Sequence, residues 1–473
     1  MKKIKFSINV LALSLIGLAS TSVMAKATFV INIQDDPDEG FNDPTPVTPV
    51  GGNNGTTLGE QRLNVFRRAG QIWGANINSD IEIVINAQFD PQTCSNQGAV
   101  LGSAGPTQIY ANFANVPITN TWYYPALADS ISGQNLGGVN DVNTIFNSEI
   151  DNGCLGGSSW YYGLDGSTAP NSTALLPVVL HELGHGLGSS TVTSGTTGAF
   201  ISGRPDIWTN FLYDLSTKST WREMSTNALR VASAINEFGL VWNGPSVNAR
   251  FPEVLNTSPN RTQLTINSPV SIADTHVAGS ANFGDPVPAN GLTANVILAN
   301  DSVANPNIND GCEPITNDLT GAIALVIRGD CDFVLKVLNA QNAGAIGVLI
   351  ANNEDIGIVG MNGTEPGVTV PSLGISKKAG DDIISQLPGV SVTMGFTTTA
   401  FIGENGGHVR KFAPESFDGG SSVSHWSTTA SPNLLMEPTI TPTIFSEVDL
   451  TYNLFEDIGW DVAVDLIFED GFE

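Results

Sequence analysis

The sequence predicts an α+β fold in which a larger unit is interrupted by a smaller mixed α/β domain. The first half of the chain alternates strand-like and helical segments and ends in an apolar helix that begins near Ala174. From about residue 268 to 399 the composition shifts to Val, Ile, Ala, Gly and Asn, with a new alternation of short strands and helices. From Phe401 the character changes again, up to a last helix over 450–460. A chain of 473 residues is long enough for two or three such units.

The outer unit opens with a predicted strand over 28–33. Thr57 and Glu60 have the spacing of a capping box, which predicts the start of a helix. Apolar residues then recur at helical spacing, at Leu63, Phe66, Ala69 and Trp73. Further along, the local pattern predicts a strand over 81–87, helical pieces over 205–215 and 225–238, and irregular chain over 241–254.

The inserted domain has its own alternation of elements. Short apolar runs predict strands over 322–327 and 346–351, and amphipathic spacing predicts helices over 333–343 and 381–387. This order is typical of a small, independent α/β domain. We therefore divide the chain into a leader at 1–25, the outer unit at 26–267 and 400–461, the insert at 268–399, and a tail at 462–473.

The leader has the features of a secretory signal peptide. Lys2, Lys3 and Lys5 precede a short apolar stretch, and Val23-Met24-Ala25 forms a small-x-small cleavage site. No later apolar run approaches 18 residues, so we expect no membrane span. The sequence therefore predicts export, to the periplasm or the medium.

The four cysteines fit an exported protein, in which disulfides persist. Four cysteines allow three pairings. We favour Cys94–Cys154 and Cys312–Cys331, because each pair then stays within one predicted domain.

The formal net charge of −27 argues against nucleic acid as a partner. Such an acidic surface is typical of a protein kept soluble in an open medium. The run Asp35-Asp36-Pro37-Asp38-Glu39 makes calcium a candidate ligand, although it lacks the fixed spacing of a calcium loop.

The stretch His181-Glu182-Leu183-Gly184-His185 carries the clearest chemistry in the chain. Residues four apart share one face of a helix, so both imidazoles can bind one metal ion. Glu182 lies about 100° further round the same turn, where it can take a proton from water that the metal activates. Pro177 is compatible with this helix only in its first turn.

Two histidines do not complete a catalytic zinc site, which usually has three protein ligands. Three residues after Gly188, where the commonest extended motif has its third histidine, this chain has Thr191. Of the remaining histidines, His276 starts the insert and His408 lies beside Arg410 and Lys411, which disfavour a cation. We favour His425, in a Gly/Ser-rich loop. The alternative is a glutamate ligand, from among Glu223, Glu237 and Glu253.

Together, the helix motif ending at Gly188, the delayed Ser424-His425-Trp426 and Leu434-Leu435-Met436-Glu437-Pro438 resemble the metzincin zinc peptidases. They look most like the leishmanolysin type, in which an insertion displaces the third histidine. The resemblance covers residues 57–255 and 400–461 and implies that Met436 forms the Met-turn, an apolar floor below the zinc.

The insert resembles a protease-associated (PA) domain. The resemblance rests on Gly311-Cys312, the run from Gly321 to Phe333, and the helix with Lys336 and Ala340 that ends at Gly344. A domain whose termini lie close together can be inserted into a surface loop without breaking its host. This insertion accounts for the long separation of His185 from His425.

The resulting hypothesis is a secreted, monomeric zinc endopeptidase that hydrolyses proteins or peptides. His181, His185 and His425 would hold one Zn²⁺, and Glu182 would act as the catalytic base. Two alternatives remain open. One is a different zinc hydrolase with a glutamate as third ligand. The other is a secreted binding protein without enzyme activity, which would use its PA domain as the interaction surface.

Overall fold

The computed structural model describes residues 27–138, 140–167, 170–258, 261–302, 307–354, 358–397 and 400–462. The predicted signal peptide and the tail beyond 462 lie outside the described residues. The helices of the described part are α1 (Leu58–Asn76), α2 (Pro125–Ser132), α3 (Cys154–Gly157), α4 (Leu175–Gly186), α5 (Asn227–Ser233), α6 (Pro245–Val254), α7 (Phe333–Asn342), α8 (Lys377–Gln386) and α9 (Asp449–Ile458).

The strands of the described part follow the mixed pattern that the sequence predicts. They are β1 (Phe29–Ile33), β2 (Ile77–Asn78), β3 (Ile83–Asp90), β4 (Gly102–Pro106), β5 (Val142–Asn147), β6 (Ser159–Tyr161), β7 (Ser172–Ala174), β8 (Leu212–Asp214), β9 (Ser219–Thr220), β10 (Leu240–Trp242), β11 (Arg261–Ser268), β12 (Asp274–Val277), β13 (Gly279–Ser280), β14 (Leu292–Leu298), β15 (Ile323–Ile327), β16 (Gly347–Ala351), β17 (Ser372–Ile375), β18 (Ser391–Thr397), β19 (Glu404–Asn405), β20 (His408–Arg410) and β21 (Asp461–Val462).

The first sheet has the order β1-β3-β5-β4. Strands β1, β3 and β5 are parallel, and β4 runs antiparallel to β5 along the edge. Helices α1 and α4 pack against this sheet and against each other. The Trp73 indole N–H of α1 donates to the Leu180 carbonyl of α4 over 3.0 Å. The predicted capping box of α1 is confirmed, with Thr57 and Glu60 exchanging side-chain to backbone hydrogen bonds.

A second sheet joins chain from before and after the predicted insert. Its order is β19-β20-β10-β8-β9, and β10 pairs with β20 antiparallel, Trp242 facing Val409. One hydrophobic core accordingly contains Trp73, Trp242, Trp426 and Phe455. Two local predictions are wrong here. The chain over 205–215 forms a 3-10 turn and strand β8 instead of an α-helix, and the segment expected to be irregular contains α6.

The third sheet has the order β12-β11-β18-β14-β15-β16-β17-β13, with β14 to β17 parallel. Its faces are covered by two hydrophobic clusters of their own. The predicted helix over 333–343 is confirmed as α7, whereas the next helix, α8, begins earlier than expected, at Lys377. The sheet begins at Arg261, ahead of the predicted boundary at 268.

Both predicted disulfides are confirmed, Cys94–Cys154 and Cys312–Cys331. Each lies within one of the units described above, as the pairing argument requires. Within the described residues, no helix is both long and apolar enough to cross a membrane.

Candidate metal centre

Helix α4 presents the histidine motif from a buried position. It begins at Leu175, so Pro177 lies in its first turn, as expected. Its residues are buried except for the half-buried His185. The chain leaves the helix at Gly188, whose φ of +123° lies in the region that favours glycine.

The three histidines selected from the sequence converge. The Nε2 atoms of His181 and His185 lie 3.1 Å apart, and the Nε2 of His425 lies 3.1 Å from the first and 3.0 Å from the second. His425 comes from the loop that follows β20, far along the chain from α4. Among the described residues, these three form the histidine-containing group whose ligand atoms lie close enough to hold one metal ion.

Hydrogen bonds on the other side of each ring fix the tautomers. Each Nδ1 lies against a backbone carbonyl: His181 against Leu435 at 2.7 Å, His185 against Ser189 at 2.9 Å, and His425 against Ser421 at 2.7 Å. A carbonyl only accepts, so Nδ1 carries the proton and Nε2 presents a lone pair.

Three lone pairs about 3 Å apart cannot hydrogen-bond one another, and each repels the others. A cation between them removes that repulsion. The donor set fits zinc, because three neutral imidazoles suit zinc better than calcium, and their spacing suits one ion with bonds of about 2.0–2.1 Å. The carbonyl partners are the usual outer contacts that orient metal-binding imidazoles.

Burial keeps the imidazoles neutral. It lowers the pKa of His181 to about 4 and, together with the neighbouring His181, the pKa of His185 to about 3. Burial and the two other rings hold the pKa of His425 well below its usual range. Metal ligation requires neutral imidazole, so the site stays competent through neutral pH.

Glu182 is the acidic side chain of this centre. Burial raises its pKa to about 8, and a hydrogen bond from the Ala104 N–H opposes that rise. Ala104 belongs to the edge strand β4, so the carboxylate lies between α4 and the strand edge. Glu182 and the three histidines line one cleft of about 750 Å³. A carboxylate with a raised pKa can exchange a proton near neutral pH.

Met436 lies directly below the histidine helix. It is fully buried, and a Cβ added at Gly184 would come within 2.7 Å of its sulfur. The two carbonyls of this turn reach the two segments that carry the histidines: Leu435 accepts from His181, and Met436 accepts at 2.7 Å from the N–H of Trp426, the residue after His425. The turn therefore contacts every element that carries one of the three histidines.

Two carboxylates, of the buried Glu437 and the half-buried Asp449, hold the Met436 turn. Glu437 accepts from the Leu434 N–H at 2.8 Å, and Asp449, at the start of α9, accepts from the Leu435 N–H. Burial raises the pKa of Glu437 to about 7 and that of Asp449 to about 6. The sequence assigned no role to Glu437 or Asp449, because their role depends on backbone groups of a turn that no spacing reveals.

Lys411 is a third residue to which the sequence assigned no role in the site. Its side chain is fully buried, with Nζ 4.1 Å from the centre of the Trp426 ring and 4.5 Å from that of Trp208. Burial holds its pKa well below its usual range. The sequence indicated only that this lysine disfavours a cation at His408. In the structure Lys411 pairs through an antiparallel β-bridge with Trp426, the residue after His425.

Thr191 stands where a nearer third histidine would be expected, and it has another role. Its hydroxyl donates to the buried Asp206 carboxylate over 2.7 Å. The same carboxylate accepts from the N–H groups of Val192 and Thr193. This loop after α4 is thus held by Asp206, and His425 lies at the position left for a third ligand.

The other candidate ligands lie elsewhere. His276 is on β12 of the third sheet, and His408 packs near the Tyr213 ring. The three glutamates make separate contacts: Glu223 with Thr220, Glu237 with Arg410, and Glu253 with Arg250.

In the candidate calcium segment, the buried carboxylate of Asp35 is occupied by backbone hydrogen bonds. The two Asp35 oxygens accept from the N–H groups of Phe41 and Phe89. A different acidic group, Asp301 with Asp310 and Glu313, lies in the third-sheet unit. The ammonium of the buried Lys336 donates to the Asp310 carbonyl beside it.

Comparison with known proteins identifies one part of the chain. Residues 292–383 match the PA domain family, which confirms the predicted PA domain. The chain is 31% identical over 141 residues to vacuolar-sorting receptor 3 of Arabidopsis thaliana, covering 27% of this chain and 22% of that protein. It is 38% identical over 89 residues to the minor extracellular protease Vpr of Bacillus subtilis, covering 18% of this chain and 11% of that protein.

Among solved structures, a zinc aminopeptidase from Bacillus subtilis is 26% identical, covering 33% of this chain and 37% of that one, with a TM-score of 0.23. The aminopeptidase of an Aneurinibacillus strain is 20% identical, covering 41% and 42%, with a TM-score of 0.22. TM-scores of 0.23 and 0.22 are too low to indicate the fold of the rest of the chain. The chain spans about a fifth or less of the curated relatives named above.

Proposed function

We propose that this protein is a secreted zinc endopeptidase with the PA domain inserted into its catalytic unit. The observation that carries the proposal is the convergence of three buried Nε2 lone pairs, each fixed by a carbonyl at Nδ1, beside one carboxylate. His181, His185 and His425 would hold the zinc. When bound, zinc supplies a Lewis acid that polarises the scissile carbonyl and acidifies water.

Glu182 is the proposed general base and acid. Its carboxylate takes a proton from the water whose oxygen adds to the carbonyl carbon, and passes that proton to the leaving nitrogen as the C–N bond breaks. The products are a carboxyl group and an amine, with no covalent enzyme intermediate. Glu182 lines the same cleft as the three histidines, so its carboxylate lies where it can reach water at the metal site.

Strand β4 offers a place for the substrate backbone. It forms the edge of the first sheet, and its residues Gly102, Ser103 and Ala104 line the cleft. An extended peptide can add to such an edge through main-chain hydrogen bonds. This placement would lay the scissile bond beside Glu182, which already hydrogen-bonds to Ala104.

We propose further that the catalytic unit is metzincin-like, of the leishmanolysin type. This assignment is supported by the contact of Met436 with Gly184 and by a third histidine that follows a long insert. We propose that the catalytic unit comprises residues 26–260 and 400–461 and the insert 261–399, because β11 belongs to the third sheet. Export is supported by the two disulfides, which are typical of oxidising compartments.

The test is casein hydrolysis by the purified protein, by Glu182→Gln, and by the wild type after zinc chelation. We expect the variant to keep its zinc and lose activity by roughly 10³-fold or more, and chelation to abolish activity until zinc is restored. The matched control is Glu253→Gln, on an exposed helix position, which should remain active. A folded, zinc-loaded wild type that cleaves no protein would refute the proposal and favour the binding-protein alternative.

A further inference from the structure

A second cavity lies where the insert meets the outer unit. It has a volume of about 420 Å³ and is lined from the insert by residues of β11, β12 and α8, and from the outer unit by residues of β8, β19 and the chain near 236–239. The described residues that line it include neither Glu182 nor the three histidines of the metal centre. This junction cavity is therefore separate from the cleft at α4, and the proposed function leaves it without a role.

On the insert side, the guanidinium of Arg261 is fixed but incompletely paired. Its Nη1 donates to the Glu404 carbonyl, and its Nη2 lies 3.4 Å from the Glu404 carboxylate. These contacts cross from β11 to β19 and hold the guanidinium plane at the junction. The Nε–H is buried, and it has no hydrogen-bond partner in the part of the chain that the structure describes. Burying such a group unpaired is costly, so the cavity beside it favours a ligand that accepts a hydrogen bond.

His276 presents a second unpartnered nitrogen to the same cavity. It lies on β12, the edge strand of the third sheet. Its Nε2 is buried and has no partner among the residues described. Burial lowers the pKa of His276, so its ring is neutral near neutral pH. A neutral imidazole with its proton on Nε2 can donate one hydrogen bond to a ligand.

The junction cavity has a surplus of basic side chains, although the chain is strongly acidic. Lys218, Arg261 and Lys378 line it, against the carboxylates of Asp274 and Glu404. The whole sequence has 46 acidic and 19 basic residues. Lys218 and Asp274 form an ion pair at 2.6 Å that spans the junction on its solvent side, with side chains 53% and 41% exposed. The local charge therefore favours an anionic group here, in contrast to the molecule as a whole.

The rest of the lining is largely aromatic. Tyr213, Phe238, Phe251 and Phe401 all contribute to it. The buried Phe251 packs edge to face against Phe401, with ring centres 5.4 Å apart. Aromatic walls with a few placed polar groups, around a volume of this size, are typical of sites for small organic molecules.

We propose that the junction cavity binds a small organic carboxylate, an acid group attached to an apolar or aromatic body. The carboxylate would accept from the Arg261 Nε–H, with His276 Nε2 as a second donor to the ligand. The body would bury its apolar surface against Phe251 and Phe401. Such an occupant would contact the insert and the outer unit together. The site goes beyond the proposed function, because none of its residues belongs to the metal centre.

Two probes test the proposal: N-acetylphenylalanine, and N-acetylphenylalanine amide, which has the same aromatic body without the charge. Isothermal titration calorimetry of the purified protein measures their affinities. We expect the acid to bind with a Kd of roughly 1 mM, as its size allows, and the amide to bind at least about tenfold more weakly, because it lacks the charged acceptor. No binding of the acid at about 10 mM, or equal affinities for the two probes, would overturn the inference.

The Arg261→Gln variant locates the acid group. It should weaken binding of the acid by about tenfold or more, through loss of the Nε–H donor and the positive charge. The matched control is Arg328→Gln, which removes another arginine that lies near a glutamate, Glu354 at 3.9 Å, but does not line the cavity. The control should bind like the wild type. Equal affinities for the wild type and Arg261→Gln would contradict the assignment.

A second measurement does not depend on the folding of the Arg261 variant. The imidazole resonances of His276, identified by their absence in His276→Gln, should shift when the acid is added to the wild type. Resonances of His276 that the acid leaves unchanged would overturn the inference.

A metal ion can also bind a carboxylate, so the metal centre is the competing location for the probe. The His425→Ala variant removes one proposed ligand of that centre and should bind the acid as the wild type does. Binding that is lost in His425→Ala and unaffected in Arg261→Gln would place the probe at the metal centre and refute the junction site.

Discussion

At the scale of single residues, the histidines are defined by what lies behind them. Carbonyls at Leu435, Ser189 and Ser421 take the Nδ1 protons, so the rings face one another as acceptors only. Buried histidines that serve only packing usually find a donor for each free nitrogen. The arrangement of these three is explained by a cation between them.

Glu437 gives a residue-scale prediction about pH. Burial raises its pKa from an ordinary 4.5 to about 7. The folded state therefore binds this proton more tightly than the unfolded state. Its stabilising contribution is complete below pH 4.5 and is lost as the pH rises to about 7. Relative to Glu437→Gln, the wild type should lose free energy of unfolding across this window and remain constant above it.

The measurement is denaturant unfolding of both proteins from pH 4.5 to 8, with a chelator present so that zinc binding does not contribute. Glu253→Gln serves as the control for removal of an exposed carboxylate. A difference between wild type and Glu437→Gln that is flat with pH would contradict the assignment.

At the scale of elements, the site depends on how closely α4 crosses the first sheet. A Cβ at Gly186 would lie 2.3 Å from Cγ1 of Val142 on β5. Val142 is β-branched and fully buried, so it cannot rotate away cheaply. Glycine at this position therefore sets the distance from α4 to the strand, and with it the depth of His181 and His185.

Gly186→Ala should lower the free energy of unfolding by about 1–3 kcal/mol through overpacking. In a Val142→Ala background the same substitution should cost less, because the clashing methyl group is gone. Gly105→Ala, where an added Cβ meets nothing within 4 Å, is the matched control. Chemical denaturation of the wild type, the two single variants, the double variant and the Gly105→Ala control measures these effects. Equal costs in both backgrounds would show that the contact with Val142 does not limit the packing.

The elements also show where local sequence patterns predict structure well. The capping box of α1 and the amphipathic α7 depend on neighbours within a few residues, so spacing alone predicts them. Strand β8 lies in a segment whose local pattern predicts a helix. It is a strand because it pairs with β10, a contact that local spacing does not reveal. Helix α6 was missed because Pro252 lies inside it, which the local pattern counts against a helix.

At the scale of the whole molecule, the candidate site joins segments that the sequence separates. His181 and His185 follow from helical spacing, and His425 was selected by elimination and resemblance. The contact of Lys411 with Trp426, next to His425, could not be predicted, because Lys411 directly follows β20, which pairs with β10 across the insert. The insert is tied to the outer unit by the Lys218–Asp274 ion pair at 2.6 Å.

The most direct test of the central claim is the zinc content of purified wild type and single alanine variants, measured by elemental analysis. We expect one zinc per chain in the wild type, in His276→Ala and in His408→Ala. We expect almost none in His181→Ala, His185→Ala and His425→Ala, because two imidazoles do not hold zinc tightly. A His425→Ala protein that retains a full equivalent of zinc would contradict the three-histidine centre on which the whole account depends.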